Sequence, residues 1–490
     1  MRDYVIGVDG GTGGARAFVF DRSGHVLGQS TAHYETYYPQ PGWAEQRPAD
    51  WLDAVSRSVR EAVRSAGVAP SQIAALTAAT TSCTVLTCSQ KGETDDPAIL
   101  WMDMRAAEQA RLIGERTGER PSAELYPCKA LWIREHQPER FSAAQVVCEY
   151  QDYLNYHLTG RWCCSVNTAC NWGYNRRKGA FDRGFYEKLD FTELLDKIPV
   201  PALAAGEPIG PLTAAAAQAL GLDTGVLVAQ GGIDSSIGML GMGAARPGTA
   251  ALMTGSSNLL MALTPQPLFT SPEAFNAGPD FLVPGCYSSF GGQTSTGSIL
   301  RWFQREFCRD LGEDALAQLD QLAKDVPCGS NGIQVLDYWQ GNRMPHNDPD
   351  VRGLIYGLSM NTTREMVFRA VMEGVACGTE EILRAFAQRG NPIHTLSISG
   401  GTTRSPLFLQ IHADVSGIPL RVVSDYSVAL GSGICAATAL GWYGSLADAA
   451  DHMVTFAGTV EPDPAHYEIY RDVFARYHDL YQAIAPWVRH

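Results

Sequence analysis

The chain has 490 residues, of which 45% are hydrophobic and 18% charged, and its formal net charge at pH 7 is −14. This composition predicts an ordinary globular protein with more than one domain. The acidic balance argues against a nucleic acid or an anionic membrane as partner, because both select basic surfaces. The N-terminus lacks a signal-peptide pattern, no run of 18 apolar residues occurs, and the twelve cysteines form no CxxC pair. We therefore expect a cytoplasmic protein.

The first predicted elements are a strand, a glycine loop and a second strand within "YVIGVDGGTGGARAFVFD" (4–21). A third strand follows, and then a helix over 48–67, which Asp50 can cap and Gly67 terminates. The next segment, "IAALTAATTSCTVLTC" (73–88), is again typical of a strand. Strands mixed with helices in this way predict the α/β class.

The second half repeats the opening pattern. The segment "TAALMTGSSNLLMAL" (249–263) predicts strand, glycine loop and strand, and 396–417 predicts strand, glycine loop and helix. In "VALGSGICAATALGWYG" (428–444) we expect a glycine turn that leads into an alanine-rich helix. Because both halves begin with a similar hairpin, the sequence predicts two similar domains, 1–246 and 247–490.

The first glycine loop has the composition of a phosphate site. Glycines directly after a strand let backbone N–H groups face an anion, and Thr12 adds a hydroxyl donor. Asp9 would repel a bare phosphate, so its position indicates a Mg²⁺ ion between the two. We predict that Asp9 holds the metal and that Gly11, Thr12 and Gly13 surround phosphate, with Arg16 nearby. The same glycines also suit a tight hairpin turn.

The two later glycine loops allow the same interpretation. A second loop from the other domain would hold the far end of a triphosphate, and a glycine pair before a helix lets a flat purine approach the backbone. The residues predicted for these roles are Thr254, Gly255 and Ser256 for phosphate, and Gly400, Gly401 and Thr402 for adenosine.

Six segments, in order along nearly the whole chain, resemble the FGGY carbohydrate kinases. They are "DGGTGGARA" (9–17), "AQGGIDSSIGMLGMG" (229–243), "TGSSNLLMA" (254–262), "GGQTSTGSILRWF" (291–303), the long segment 341–376 with its "RG" and "RAVMEG" motifs, and "SGGTTRSPLFLQIHADVSGIPLRV" (399–422). The resemblance implies two ribonuclease-H-like, actin-like ATPase domains with a cleft between them. It implies ATP and Mg²⁺ as cofactors, a sugar site with the catalytic base in 1–246, and an ATP site in 247–490.

The resemblance also assigns the catalytic group. Phosphoryl transfer to a sugar hydroxyl needs a group that accepts the hydroxyl proton. Asp234, in "GGID", matches the family's base and is also expected at the Mg²⁺ ion. The same residue can simply cap the helix that follows, and the two roles are compatible.

For the sugar, the segments 80–92 and 99–110 resemble the ribulokinase branch, which implies that Ser82 and Cys83 line the pocket. Lys129 matches a sugar-contacting position, although the alternative is a solvent-exposed surface lysine. Asp103 and Arg105 lie on one side of an extended segment. They are either sugar ligands or an ion pair that braces the pocket.

Two departures from the family pattern bear on the substrate. Phe290 stands where many pentulose kinases have an acidic residue, and Ser235–Ser236 replaces a common Ala-His pair. Because of both departures, a shorter or less hydroxylated sugar is an alternative to a ketopentose as the substrate. Trp101 is expected either to be a core residue, which is the favoured alternative, or to pack on the apolar face of the sugar.

The resulting prediction is a kinase of a small sugar, foremost a ketopentose such as ribulose. The alternatives are a tetritol, tetrulose or other polyol kinase, an actin-like ATPase without sugar kinase activity, and a sugar-binding pseudokinase. A homodimer is the expectation from base rates.

Overall fold

The computed structural model describes residues 2–118, 121–268, 280–312 and 314–488. The strands of the first half are β1 (Tyr4–Gly11), β2 (Gly14–Phe20), β3 (Val26–His33), β4 (Glu45–Gln46), β5 (Ile73–Thr80), β6 (Val85–Cys88), β7 (Ala98–Ile99), β8 (Val146–Glu149), β9 (Cys164–Ser165), β10 (Tyr174–Asn175), β11 (Ala180–Phe181), β12 (Ala202–Leu203), β13 (Pro208–Pro211) and β14 (Leu227–Ala229). Its helices are α1 (Pro48–Ala66), α2 (Ala107–Thr117), α3 (Tyr126–His136), α4 (Pro138–Ala143), α5 (Tyr150–Thr159), α6 (Val166–Ala169), α7 (Arg183–Lys188), α8 (Ala214–Leu220) and α9 (Asp234–Gly241).

The second half continues the alternation of strands and helices. Its strands are β15 (Thr249–Thr254), β16 (Asn258–Thr264), β17 (Tyr287–Gln293), β18 (Gln334–Leu336), β19 (Leu354–Tyr356), β20 (Thr395–Gly400), β21 (Leu420–Val423) and β22 (Phe456–Val460). Its helices are α10 (Gly297–Phe307), α11 (Ala315–Lys324), α12 (Arg364–Gln388), α13 (Pro406–Ser416), α14 (Ser427–Ala439), α15 (Leu446–Met453) and α16 (Pro464–Val488). In the part of the chain that the structure describes, no helix is both long and apolar enough to cross a membrane.

The first compact unit contains residues 2–245, 280–288 and 426–454. Its main sheet has the order β13-β14-β5-β1-β2-β3. Strand β1 is antiparallel to β2 and parallel to β5, and β5 is parallel to β14. Parallel neighbours end at the same edge of a sheet, so the ends of β1 and β5 lie side by side there. That edge carries Asp9, which pairs in register with Ala79.

The second compact unit contains residues 246–268, 289–425 and 455–488. Its main sheet has the order β17-β16-β15-β20-β21-β22. Strand β15 is antiparallel to β16 and parallel to β20, and β20 is parallel to β21. In both sheets the strand before the glycine loop therefore lies between its hairpin partner and a parallel strand. The two units repeat one α/β arrangement, as the sequence predicts.

The division falls next to the predicted boundary at residue 246, but the first unit also includes residues 280–288 and 426–454 from the second half of the chain. The reason is α14, which packs against α9, β1 and β5. The glycine turn predicted in this segment is wrong, because Gly431 lies inside α14. A Cβ atom there would overlap the carbonyl group of Ile237 in α9, so glycine permits two helix backbones to touch.

Helix α1 shows where local signals are sufficient. It ends as predicted, at Gly67, whose φ of 66° lies in the left-handed region. The predicted cap is wrong, because the helix begins at Pro48 and its N-cap is Arg47, which makes no side-chain cap. Asp50 lies in the first turn, where a negative charge still favours the helix dipole.

Candidate active site

Asp9 lies on β1, two residues before the strand ends at Gly11, and is 5% exposed. It pairs with Arg16 on the neighbouring strand, with 2.8 Å between Arg16 Nη2 and Asp9 Oδ2. Burial raises the pKa of the Asp9 carboxyl, and the positive charge of Arg16 opposes that rise. Among the residues that the structure describes, the partly exposed guanidinium of Arg16 is therefore the cation that pairs with this carboxylate.

The loop after β1 is fixed by side chains from three other segments. The Tyr34 hydroxyl donates to the Gly11 carbonyl. Gln46 Nε2 donates to the Thr12 carbonyl at 2.7 Å, and Trp101 Nε1 donates to Thr12 Oγ1 at 3.0 Å. The first two bonds use carbonyl groups of the loop, and the third uses the hydroxyl oxygen of Thr12. Gly13 is exposed, and a Cβ atom built on it would have no neighbouring atom of the described residues within 4 Å. This side of the loop is therefore open to a ligand.

Asp234 is the first residue of α9, and the N-cap is Ile233, so Asp234 is not itself the cap residue. Its Oδ1 accepts the backbone N–H of Ser235 at 2.6 Å. The preceding turn is tied to the end of β5, since the Thr80 N–H donates to the Gly232 carbonyl at 3.1 Å. The sheet edge that carries Asp9 therefore also carries Asp234.

The two carboxylates influence each other. Burial raises the pKa of Asp234 to about 6, the negative charge of Asp9 adds to the rise, and the Ser235 N–H and Arg16 oppose it. A carboxyl group with a pKa close to neutral can both take and hold a proton in the physiological range. Paired acids with perturbed pKa values are typical of catalytic sites.

The donor set at this edge fits a hard divalent cation. Mg²⁺ binds one or two carboxylates and completes its shell with water and phosphate oxygens. Asp9 and Asp234 supply two carboxylates, and Arg16 is the cation beside them. Among the described residues, no group of three or more His, Cys, Asp or Glu side chains is arranged to hold a metal. The site therefore suits a metal that arrives with its own oxygen ligands.

In the second unit, two predicted loops lie together. Thr254 and Gly400 are partners in the parallel ladder of β15 and β20. Thr402 Oγ1 donates to Thr254 Oγ1 at 2.5 Å, and Thr254 Oγ1 donates to the Ser399 carbonyl at 3.2 Å. Gly400 has a φ of 119°, and a Cβ atom there would overlap the Thr254 carbonyl oxygen. The loops predicted for phosphate and for adenosine thus form one surface.

The start of α10 holds the turn between β15 and β16. Thr296 and Ser298 donate backbone N–H groups to the Ser256 carbonyl at 2.9 and 3.2 Å, and Gly297 donates to the Gly255 carbonyl at 3.0 Å. The turn is exposed, as is Gly401 in the neighbouring loop. The carbonyl groups of Gly255, Ser256 and Ser257 all accept hydrogen bonds, that of Ser257 from the Gly255 N–H at 2.9 Å. The exposed serines of the turn, rather than Gly255, therefore offer donors that suit an anion.

Asp103 and Arg105 form a buried ion pair. Arg105 Nε and Nη2 bind the two Asp103 oxygens at 2.9 and 2.7 Å, and Nη2 also binds Glu45 at 2.8 Å. The guanidinium lies 3.6 Å from the ring centre of Trp43. Asp103 is fully buried and also accepts the Ala44 N–H at 2.6 Å. The structure thus contains the predicted ion pair, and a contact of these residues with the sugar stays a prediction.

Lys129 is fully buried, so the alternative of a surface lysine is wrong. Its ammonium donates to the Cys83 carbonyl at 2.7 Å and to the Leu100 carbonyl. Burial lowers the pKa of Lys129 to about 8, while neighbouring acids oppose that fall. Cys83 has a φ of 60° and donates its N–H to Glu149 Oε2 at 2.8 Å. Lys129 and Glu149 therefore fix the backbone of the Ser82–Cys83 turn from both sides.

The structure contradicts one sequence-based placement and locates another. Trp101 is 38% exposed beside the first glycine loop and is not a core residue. Phe290 is also 38% exposed, and it lies on β17 of the second unit, whereas Ser82, Cys83 and Lys129 belong to the first unit. Glu149 is a site residue that the sequence analysis does not name. Like Asp9, it follows a run of apolar residues within its strand, and this pattern is readable in the sequence.

Comparison with known proteins identifies the family. The profile "FGGY family of carbohydrate kinases, N-terminal domain" matches residues 4–241, and the corresponding C-terminal domain profile matches 250–440. A ribulokinase of Mycolicibacterium smegmatis is 31% identical over 98% of this chain and 93% of its own length. A xylulose kinase of Staphylococcus epidermidis is 25% identical over 98% and 97%. The crystal structure of a xylulose kinase from Rhodospirillum rubrum, 27% identical, superposes with a TM-score of 0.87 over 99% of this chain and 100% of that one.

A two-unit α/β fold with acidic residues and glycine loops at its sheet edges thus belongs to a carbohydrate phosphotransferase. The chain is a member of the FGGY family of carbohydrate kinases. It is an enzyme whose acceptor is a sugar hydroxyl group.

Proposed function

We propose that this enzyme phosphorylates a ketopentose such as ribulose, with Mg²⁺-ATP as donor and Asp234 as general base. The observation that carries the proposal is the position of Asp234 at the start of α9, on the sheet edge that also carries Asp9. Burial and the charge of Asp9 raise the pKa of Asp234 to about 6. A base of this strength accepts the proton of an attacking hydroxyl at neutral pH and is still largely ionised beforehand. The N-terminal end of α9 favours the ionised form.

We assign the metal to Asp9 and Asp234. When bound, Mg²⁺ would neutralise phosphate charge and orient the terminal phosphoryl group. The open side of the first loop, at Gly11, Thr12 and Gly13, would donate to phosphate. Asp9 would keep its place through Arg16, which pairs with it at 2.8 Å.

The nucleotide is assigned mainly to the second unit. The turn at Thr254, Gly255 and Ser256, which is exposed at Gly255 and Ser256, would bind the terminal phosphates. The adjoining loop at Gly400, Gly401 and Thr402 would take the adenosine. Support comes from the Thr402–Thr254 hydrogen bond, which joins the two loops into one surface.

The sugar is assigned to the first unit, at the turn of Ser82 and Cys83 and at the exposed face of Trp101. The indole N–H of Trp101 is bonded to Thr12, which leaves the ring face for apolar C–H groups of a sugar. A pentulose is favoured because the named relatives include ribulokinases and xylulose kinases. A cytoplasmic location and a homodimer complete the proposal.

A smaller ketose or a polyol is the second candidate. It is favoured by Phe290, whose exposed ring cannot accept a hydrogen bond from a sugar hydroxyl. The same position is expected to be acidic in many pentulose kinases, so a sugar with fewer hydroxyl groups would lose fewer hydrogen bonds at Phe290.

The test is ADP release with Mg²⁺-ATP and a sugar panel. The panel holds D- and L-ribulose, D- and L-xylulose, ribitol, arabinitol, erythritol, erythrulose and glycerol. One strongly preferred ketopentose supports the proposal, and preference for a four-carbon sugar or polyol supports the second candidate. ADP release that no sugar stimulates would favour an ATPase. Asp234→Asn should abolish most turnover while ATP binding, followed by calorimetry, is retained.

A further inference from the structure

The turn before Asp234 is held at three consecutive residues. The Gly231 carbonyl accepts Ser165 Oγ at 3.0 Å. The Gly232 carbonyl accepts the backbone N–H at the end of β5. The Ile233 N–H donates to the side chain of Asn167 at 2.7 Å. The backbone that leads into the catalytic residue is therefore fixed by β5 on one side and by the start of α6 on the other.

Of these three bonds, the one to Asn167 is made by the residue next to Asp234. Because a backbone N–H can only donate, the Asn167 atom that faces Ile233 must be the carbonyl oxygen Oδ1. Among the described residues, the Nδ2 atom of Asn167 has no hydrogen-bond partner. The bond to Ile233 is thus the side chain's single hydrogen bond within the described chain, although the residue is fully buried.

Burial of an amide whose two Nδ2 donors are both unused is unfavourable for stability. A small apolar side chain would avoid that penalty at the second position of α6. The helix does not need this amide, because Ser165 caps α6 by accepting the Asn167 backbone N–H at 3.2 Å. The side chain of Asn167 therefore serves the turn and not its own helix.

We propose that Asn167 is a positioning residue, which places Asp234 by holding the N–H of Ile233. This inference rests on the proposed function, in which Asp234 is the base. Ile233 is the N-cap of α9, so its backbone angles set where the first helical residue begins. Loss of the bond lets the turn rotate, and the carboxylate of Asp234 moves relative to a hydroxyl that it must reach within hydrogen-bonding distance.

The variants are chosen to separate positioning from folding. Asn167→Ala removes the acceptor, Asn167→Leu removes it while filling the volume, and Asn167→Asp retains an accepting oxygen. The matched control is Thr168→Val on the same short helix, where the hydroxyl donates to the Ser165 carbonyl at 3.1 Å instead of to the turn. Each is assayed by ADP release with Mg²⁺-ATP and L-ribulose, or the panel sugar that the parent prefers, together with its melting temperature.

We expect kcat to fall about 10- to 100-fold in Asn167→Ala and Asn167→Leu, with the KM for ATP within about twofold of the parent. Asn167→Asp should restore kcat to within about fivefold, and Thr168→Val should match the parent. If Asn167→Ala does not fold, the leucine variant gives the same comparison. Parental kcat in the leucine variant, or an equal loss in Thr168→Val, would overturn the inference. Full turnover in Asp234→Asn would instead refute the proposed function, so the two failures are distinct.

Discussion

Asp234→Asn is expected to make the protein more stable while it removes the activity. The parent's carboxyl has its pKa raised from 3.8 to about 6 by burial and by Asp9. In the unfolded chain the group ionises near its ordinary pKa, so above pH 6 folding forces a charge into a place that disfavours it. Asparagine has nearly the same shape and carries no charge.

The size of the effect follows from the two pKa values. One pKa unit is equivalent to about 1.4 kcal/mol, so the full rise corresponds to about 3 kcal/mol. Asp234 keeps partial solvent contact, which reduces the expected gain to about 1–2 kcal/mol. Because the folded pKa is the higher one, the parent loses stability as pH rises from about 4 to 6 and has lost it fully above that range.

The assay is urea unfolding of parent and variant at pH 8 and pH 4.5, with EDTA present to exclude metal. The variant should be more stable at pH 8, and its advantage should shrink by more than half at pH 4.5. Asp223→Asn, an exposed residue of the same unit, is the control and should show no such difference. A variant that is less stable than the parent at pH 8, or an advantage that does not change with pH, would refute this reasoning.

Three further predictions test other parts of the molecule. Gly400→Ala should lower the free energy of unfolding by about 2–4 kcal/mol and weaken ATP binding in calorimetry, because the new methyl group overlaps a strand carbonyl. The control is Gly401→Ala, which has open space around it and should change the free energy of unfolding by less than about 1 kcal/mol. Arg105→Met should destabilise by about 3–5 kcal/mol in urea unfolding, since it leaves Asp103 buried without its cation; an unchanged midpoint would contradict the brace. Lys129→Met should lose stability relative to the parent as pH rises from 7 to 10 in thermal melts. The buried lysine of the parent, with a pKa of about 8, becomes neutral over that range, and the folded parent is then stabilised. A difference in melting temperature that does not depend on pH would contradict this.

The sequence is sufficient for features that depend on local geometry. The hairpins around the glycine loops and the end of α1 at Gly67 follow from strand pattern, turn chemistry and a left-handed C-cap. The α/β class follows from the alternation of elements. The metal role of Asp9 is predicted from the chemistry of the glycine loop, whereas the catalytic role of Asp234 is predicted from the resemblance. The structure adds that both residues lie at one sheet edge.

What the sequence cannot show is contact between distant segments. Nothing local distinguishes Lys129 as a buried residue bonded to the Cys83 carbonyl, since these are 46 positions apart. Trp101 was expected in the core because tryptophan is mostly buried, yet a hydrogen bond to Thr12 holds it at the surface. Gly431 was interpreted as a turn residue because a glycine pair usually marks a turn, and only the partner helix explains its place inside α14.

The return of α14 to the first unit has a consequence for biosynthesis. During translation the ribosome releases β1, β5 and α9 long before Ser427–Ala439, so the surface that α14 covers stays without its partner for the synthesis of the entire intervening segment. The first unit cannot reach its final packing as an emerging N-terminal fragment. A nascent chain that stops before residue 454 would expose apolar surface of the first unit's core, and it is this incomplete species that chaperones and proteases would meet.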